Sequence, residues 1–190
     1  QLNDPYVKQS QAEGRRSRAA YKLIQIDEKF NLLKPNQTIL DLGASPGSWS
    51  EVAMGISNTK VIAIDKLAMD PISGVEILQL DLSEEKSFHD LKGLLGGKVH
   101  LVLSDMASET TGHKSTDHIR TQELAELAAD YAINFLKIGG SFCSKVFQGG
   151  THQALLELLK KNFDMVKHYK PEASRKESPE NYVIAKGFKG

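Results

Sequence analysis

Short apolar runs recur along the chain with helix-like stretches between them, and this alternation restricts the fold more than any other feature. The runs are "TILDLG", "KVIAID", "VEILQLD", "VHLVLSD" and "GSFCSKVF". Helical patterns fall between them, near residues 49–57, 84–95 and 115–137. Strands that alternate with helices predict a parallel sheet covered on both faces. Residues 152–162 read as one more helix, and "FDMVKHYK" and "NYVIAKGF" as two more strands separated by the polar "PEASRKESPE". Ahead of all these, Ala19, Leu23, Ile26, Phe30 and Leu33 recur at helical spacing and predict one N-terminal helix over Ser17–Leu33. Pro35 stops it, because a proline disfavours helix at the residue before it. The expectation is one α/β domain over 1–190, with 1–35 as a basic N-terminal extension.

No apolar run approaches the roughly 20 residues of a membrane span, so no membrane partner is expected. The polar N-terminus holds no apolar signal-peptide core. A single cysteine, Cys143, excludes an internal disulfide and any multi-cysteine metal site, which suits a reducing compartment. Charge is unevenly placed although the formal net charge is zero. Residues 1–24 carry five Lys/Arg against two acids, and residues 157–190 carry eight against five. Residues 25–156 carry eleven against seventeen. Two basic ends suit a polyanionic partner if they meet in space; otherwise they are solvated surface.

Ligands of open α/β sheets bind at the carboxyl ends of the strands. Asp41, Asp65, Asp81 and Asp105 each stand at or near such an end. One strand-end Asp is commonly a cap or turn residue, whereas four on one edge point to a site. Gly43 and Gly47 allow close backbone approach at the turn after the first strand. Asp65 lies 22 residues beyond Gly43, near the spacing at which an acid receives ribose hydroxyls. The turn reads G-x-x-x-G with Pro46 inside it, so the G-x-G-x-x-G fingerprint of a pyrophosphate cradle fails. An adenosine-bearing donor without phosphate, S-adenosylmethionine, fits better than a nicotinamide dinucleotide. Trp49 either stacks on that ligand or packs at the helix start.

Lys145 interrupts a run that should be wholly apolar, so it either reaches an opening at the strand end or meets an acid. Lys22 sits beside the apolar stripe of the first helix and, alone, reads as a surface lysine; Glu180 alone reads as a turn residue. Cys143 reads as core filling. His113, His118 and Asp117 match no tight metal pattern, and no metal is expected.

Taken together, "DPYVKQSQAEGRRSRAAYKL", "DLGASPGSWS", "MDPISGVEILQLDL", "VLSDMAS", "GGSFCSKVF" and "PEASRKESPENYVIA" resemble the FtsJ family of ribosomal RNA 2′-O-methyltransferases, in order and along nearly the whole chain. Ser48 and Ser108 depart from residues frequent in that family. The resemblance implies a Rossmann-like class I methyltransferase fold, a mainly parallel seven-stranded sheet whose last strand is antiparallel. It implies a catalytic set of Lys22, Asp105, Lys145 and Glu180, and donor contacts at Gly43, Gly47, Trp49, Asp65, Asp81 and Asp105. It further implies S-adenosylmethionine as cofactor and a uridine in the A loop of large-subunit rRNA as acceptor, within the assembled subunit. Methylation of tRNA or an mRNA cap, or RNA binding without catalysis, are the alternatives. Arg15, Arg16, Arg18, Arg175 and Lys176 are expected to hold RNA phosphates. Lys145 is expected to act as a base made neutral by burial and by Lys22. A monomer is expected, in a bacterial cytoplasm or, if a targeting segment preceded Gln1, in the mitochondrial matrix.

Overall fold

A computed structural model describes residues 3–58, 60–108, 111–149 and 153–190. Two N-terminal helices, α1 (Pro5–Ala12) and α2 (Ala20–Phe30), precede β1 (Thr38–Leu42), α3 (Ser48–Ser57), β2 (Lys60–Asp65) and β3 (Val75–Gln79). There follow α4 (Glu85–Leu95), β4 (Val99–Ser104), α5 (Lys114–Phe135), β5 (Leu136–Phe147), α6 (Gln153–Asn162), β6 (Phe163–Tyr169) and β7 (Glu180–Phe188). The seven strands lie in the order β3-β2-β1-β4-β5-β7-β6. β1 to β5 run parallel, and β7 is antiparallel to both of its neighbours. This is the expected sheet, with the reversed strand last in the chain.

The chain winds outward from β1 to β3 and then returns to place β4 on the other side of β1. That reversal opens a crevice at the carboxyl ends of β1 and β4, where such sheets bind ligands. Strand alternation sends Leu40, Leu42, Ile62, Val102 and Phe142 to one face, under Ala128, Tyr131 and Phe135 of α5. Ile39, Val61, Leu101, Leu103, Cys143 and Ile184 face the other way, under Leu23 and Ile26 of α2 and Val52 and Ala53 of α3. Full burial of each such aliphatic side chain contributes about 1.5–3 kcal/mol.

Three features differ from the sequence reading. The N-terminal region forms two helices rather than one. α1 was not legible because only Ser10 of its residues is buried, so it has no apolar stripe. It is defined instead by its cap: the Asp4 carboxylate accepts from the backbone N–H of Tyr6 and Val7 at 3.0 and 3.4 Å. α2 ends at Phe30, with Asn31 in the left-handed conformation, so Leu33 packs from the loop. β5 begins at Leu136 rather than Gly140, with Ile138 79% exposed at its outer end.

Candidate active site

The strand ends that carry the site follow directly from the two-residue period of the sheet. Asp41 continues the face of Ile39, Asp65 that of Val61, Asp105 that of Leu101 and Leu103, and Lys145 that of Cys143. Glu180 and Tyr182 continue the face of Ile184. All six therefore project from the side covered by α2 and α3.

In the turn after β1, Ser45 N–H donates to Asp65 Oδ2 at 2.9 Å, which ties the turn to the end of β2. Gly43 and Gly47 have φ of +66° and +113°. A Cβ at Gly43 would lie 2.1 Å from Met106 Cγ, and one at Gly47 would lie 2.7 Å from Ile72 Cδ1. Only glycine satisfies both the backbone angles and the space. Asp81, just beyond β3, accepts from Ser83 N and Ser83 Oγ at 3.0 and 2.6 Å. Asp41 is 1% exposed and accepts from Ser50 Oγ at 2.7 Å. Burial pushes its carboxyl up to about 7, helped by the charges of Asp105 and Asp65 and opposed by its bonds to Ser50.

The fit to a donor can be judged from this arrangement. In dinucleotide folds the first turn of the helix after β1 faces a pyrophosphate. Here the Asp41 carboxyl accepts from Ser50 in that turn and so occupies it. An anion there would disfavour ionisation of Asp41 still further, whereas a donor carrying positive charge would be drawn to Asp65, Asp81 and Asp105 and would favour ionised Asp41. Trp49 is 3% exposed, donates from Nε1 to Ala19 O at 2.9 Å and lies 5.6 Å from the Tyr182 ring. Its indole is used in packing, and it borders the crevice with Asp41, Gly43, Ser48 and Asp105.

At the ends of β4, β5 and β7, four charged side chains form a continuous chain. Lys22 Nζ lies 2.5 Å from Glu180 Oε1, and Lys145 Nζ lies 3.4 Å from Glu180 Oε2 and 3.1 Å from Asp105 Oδ1. Lys22 is 8% and Lys145 7% exposed, so neither is a surface lysine. The register places Lys145 opposite Tyr182 and Phe147 opposite Glu180. Burial alone would lower the Lys145 pKa, but Asp105 and Glu180 outweigh it and the net shift is upward. Burial likewise opposes the charge of Glu180, yet Lys145 and Lys22 bring its carboxyl down to about 2. The expectation of a neutral Lys145 is thus reversed in the resting site, where it is an ammonium between two carboxylates.

Two further contributors escaped the sequence reading. Tyr182 is fully buried and its hydroxyl donates to Asp105 Oδ1 at 2.6 Å. Ser174 Oγ donates to Glu180 Oε1 at 3.1 Å. In the sequence Tyr182 is one aromatic in an apolar run, and its place two residues after Glu180 on the same face is the signal that could have found it.

The five basic residues do not behave alike. Arg15 pairs with Glu13 at 2.9 Å. Arg16 is bonded to Pro46 O, Asp70 O and Pro71 O. Arg18 donates to Ala173 O at 2.7 Å, with Nε 3.1 Å from Asp4 Oδ2. Arg175 lies 3.4 Å from the same carboxylate, and Lys176 is exposed. Arg18, Ser174, Arg175 and Lys176 border a cleft of about 530 Å³ with Asp4 and Tyr6, and Ser174 links it to Glu180. Arg15, Arg16 and Arg18 lie between α1 and α2, so Arg18 falls before the helix that the sequence placed from Ser17. His118 packs its ring 4.8 Å from that of Phe147, and Asp117 accepts from Thr111 N–H. No helix among the described residues is long and apolar enough to cross a membrane.

Residues 15–188 match the family model described as FtsJ-like methyltransferase. The chain is 56% identical over 191 residues to ribosomal RNA large subunit methyltransferase E of Sphingopyxis alaskensis, covering all of this chain and 83% of that protein. It is 53% identical over 190 residues to the protein of the same name from Maricaulis maris, covering all of this chain and 68% of that one. Among solved structures, a Plasmodium falciparum protein described as a ribosomal RNA methyltransferase superposes with a TM-score of 0.81 at 35% identity, over 92% of this chain and 99% of that one.

Proposed function

The chain belongs to the FtsJ-like methyltransferase family, and from that premise we propose that it methylates the ribose 2′-oxygen of a uridine in large-subunit ribosomal RNA. The relatives' shared name supports the large-subunit RNA, and the resemblance of the motifs supports a uridine of the A loop in the assembled subunit. The observation that carries the reading is the buried series Lys22–Glu180–Lys145–Asp105 beside a turn lined by carboxylates. S-adenosylmethionine supplies, when bound, a methyl group already activated on a cationic sulfur.

The residues then have distinct tasks. Asp65 accepts ribose hydroxyls of the donor, and Asp41, Asp81 and Asp105 balance its positive charge. Gly43 and Gly47 let it approach the backbone. Holding donor and acceptor in line contributes much of the rate, because no strong leaving-group assistance is needed. The 2′-hydroxyl must lose its proton as the O–C bond forms. Lys145 takes that proton at Nζ once its own has left, so transfer rises with pH. Glu180 holds both lysines at fixed separation, and Lys22 keeps Glu180 ionised. The cleft bounded by Arg18, Arg175 and Lys176 carries the RNA strand away from the reacting ribose, through phosphate contacts weakened by salt.

The upward shift of Lys145 favours a second reading, in which it stays charged and orients the ribose oxygen while the proton leaves to solvent. The pH–rate profile separates the two. Transfer of a labelled methyl from S-adenosylmethionine to isolated large subunits, followed by mapping of the modified nucleotide, tests the function. Label on a uridine 2′-oxygen is the expected result; label confined to tRNA or to a base nitrogen would reject it.

A further inference from the structure

We propose that Arg16 is a positioning residue of the donor site, a clamp that holds the β2–β3 loop against the glycine turn, and not a contact for RNA phosphate. This rests on the donor assignment made above. Arg16 Nη1 donates to Pro46 O at 3.0 Å and to Asp70 O at 2.8 Å, and Nη2 donates to Pro71 O at 2.6 Å. Nε lies 3.4 Å from Glu51 Oε2 in the first turn of α3. One guanidinium thus joins three segments: the turn after β1, the loop after β2 and the start of α3. It offers five N–H groups in a rigid fork, and those bonded here are unavailable to a phosphate. The side chain is 20% exposed, whereas that of Arg175, over the RNA cleft, is 43% exposed.

The contact is also one of packing. Arg16 Cδ lies 3.4 Å from where a Cβ of Gly47 would stand, beside Ile72 Cδ1 at 2.7 Å and Met69 Cε at 3.0 Å. The β2–β3 loop therefore rests on Gly47 through Met69 and Ile72, and Arg16 secures it from the outer side. Pro71, like Asp70, is exposed, and neither belongs to a strand ladder that would fix it. This loop begins at Asp65, the proposed acceptor of the donor's ribose hydroxyls, and the turn forms the opposite wall. Fixing the separation of the two walls before the donor arrives removes an ordering cost from binding. Arg18, two residues on, fastens the other side of the site through Ala173 O. The α1–α2 junction therefore anchors a donor wall by one arginine and an acceptor wall by the next.

The test titrates S-adenosylhomocysteine into the full chain by calorimetry, for the wild type, Arg16→Gln, Arg16→Lys and Arg175→Ala, with binding to isolated large ribosomal subunits measured across salt concentrations. Arg16→Gln should weaken S-adenosylhomocysteine about tenfold. Arg16→Lys should recover only part of this, since an ammonium cannot reproduce the fork, and it preserves charge and stem should the glutamine variant fail to fold. Both should raise KM for the donor with kcat and the RNA salt slope unchanged, and should speed amide exchange at residues 69–75. Arg175→Ala should do the opposite, lowering the RNA salt slope by about one and sparing the donor. Unchanged donor affinity in both Arg16 variants, or a reduced RNA slope in either, overturns the clamp. If the wild type itself does not bind S-adenosylhomocysteine, the donor assignment falls and the clamp with it.

Discussion

Asp41 and Glu180 are both largely removed from water at the same edge of one sheet, yet their carboxyl groups are driven in opposite directions. Asp41 is pushed up to about 7 by burial, whereas Glu180 is brought down to about 2 despite burial. The difference lies in their neighbours. Asp41 has the neutral Ser50 and other acids around it; Glu180 has Lys22 and Lys145. A cationic ligand in the donor half would relieve the repulsion from Asp105 and Asp65 that helps hold the Asp41 carboxyl up. The acceptor half is compensated within itself, which suits a neutral hydroxyl and fixes the geometry of the lysines before substrate arrives.

The largest effect should come from removing the group proposed to face the ribose. Lys145→Ala should slow single-turnover transfer by about 10²–10⁴-fold, the usual worth of positioned proton transfer. S-adenosylmethionine should still bind, since Asp65, Asp81 and the glycine turn are held by bonds that do not involve Lys145. In the wild type the rate should rise with pH into the lysine range, following the upward shift of Lys145. A flat profile with a large loss on Lys145→Ala would select the fixed-cation reading. A near-normal rate for Lys145→Ala would remove the lysine from the chemistry.

Glu180→Gln should rank next, because it leaves Lys22 and Lys145 buried without the anion they share. Breaking a buried pair from one side costs about 3–5 kcal/mol, measurable by urea unfolding at neutral pH. The wild type should also have an acid limb that the variant lacks. A carboxyl lowered from 4.5 to about 2 on folding stabilises fully above pH 4.5, and that stability is lost as pH falls through about 2. Loss of the anion should also lower the Lys145 pKa, so any residual activity should have its midpoint at lower pH. Equal stability of the two proteins at pH 7 would show that the acceptor half is not held by Glu180.

Asp65→Ala tests the donor half. Its carboxylate already joins Ser45 and Leu67 through backbone N–H groups at 2.9 Å each. Loss of hydrogen bonds to a charged acceptor should weaken donor binding by about 1.5–3 kcal/mol. RNA binding should be unaffected. Calorimetry showing unchanged donor affinity in a folded variant would misplace the adenosine.

The two halves also differ in how openly the sequence declares them. Asp41, Asp65, Asp81 and Asp105 each follow an apolar run, and Gly43 and Gly47 lie in a local turn, so the donor half is written in short windows. Lys145 is visible as a charge in an apolar strand. Its partners are not, because Lys22 and Glu180 are 158 residues apart in the chain and meet only when α2 covers the face of β5 and β7. Only the family motifs brought them together beforehand. The carbonyl contacts of Arg16 are hidden for a related reason. A run of basic residues suggests phosphate, and nothing local reveals that three carbonyl oxygens from two distant loops converge on one of them. The direction of the Lys145 shift likewise depends on distances to Asp105 and Glu180 that no spacing supplies.

Tyr182 stands where the two halves touch, and its removal should have the smallest and most diagnostic effect. Its ring lies beside Trp49, and its hydroxyl donates to Asp105 Oδ1, the oxygen that also faces Lys145 Nζ. Tyr182→Phe keeps the ring packing and deletes only the donor, so stability should fall by about 1–2 kcal/mol. Asp105 then has Lys145 as the remaining partner of that oxygen, and the ammonium is held more firmly. The pH–rate midpoint should therefore move up, whereas Glu180→Gln moves it down. Opposite shifts from two substitutions flanking one lysine would place Lys145 as the titrating group. If Tyr182→Phe leaves the midpoint unmoved and instead weakens donor binding, the hydroxyl serves the donor half, and the boundary between the halves lies on the other side of Asp105.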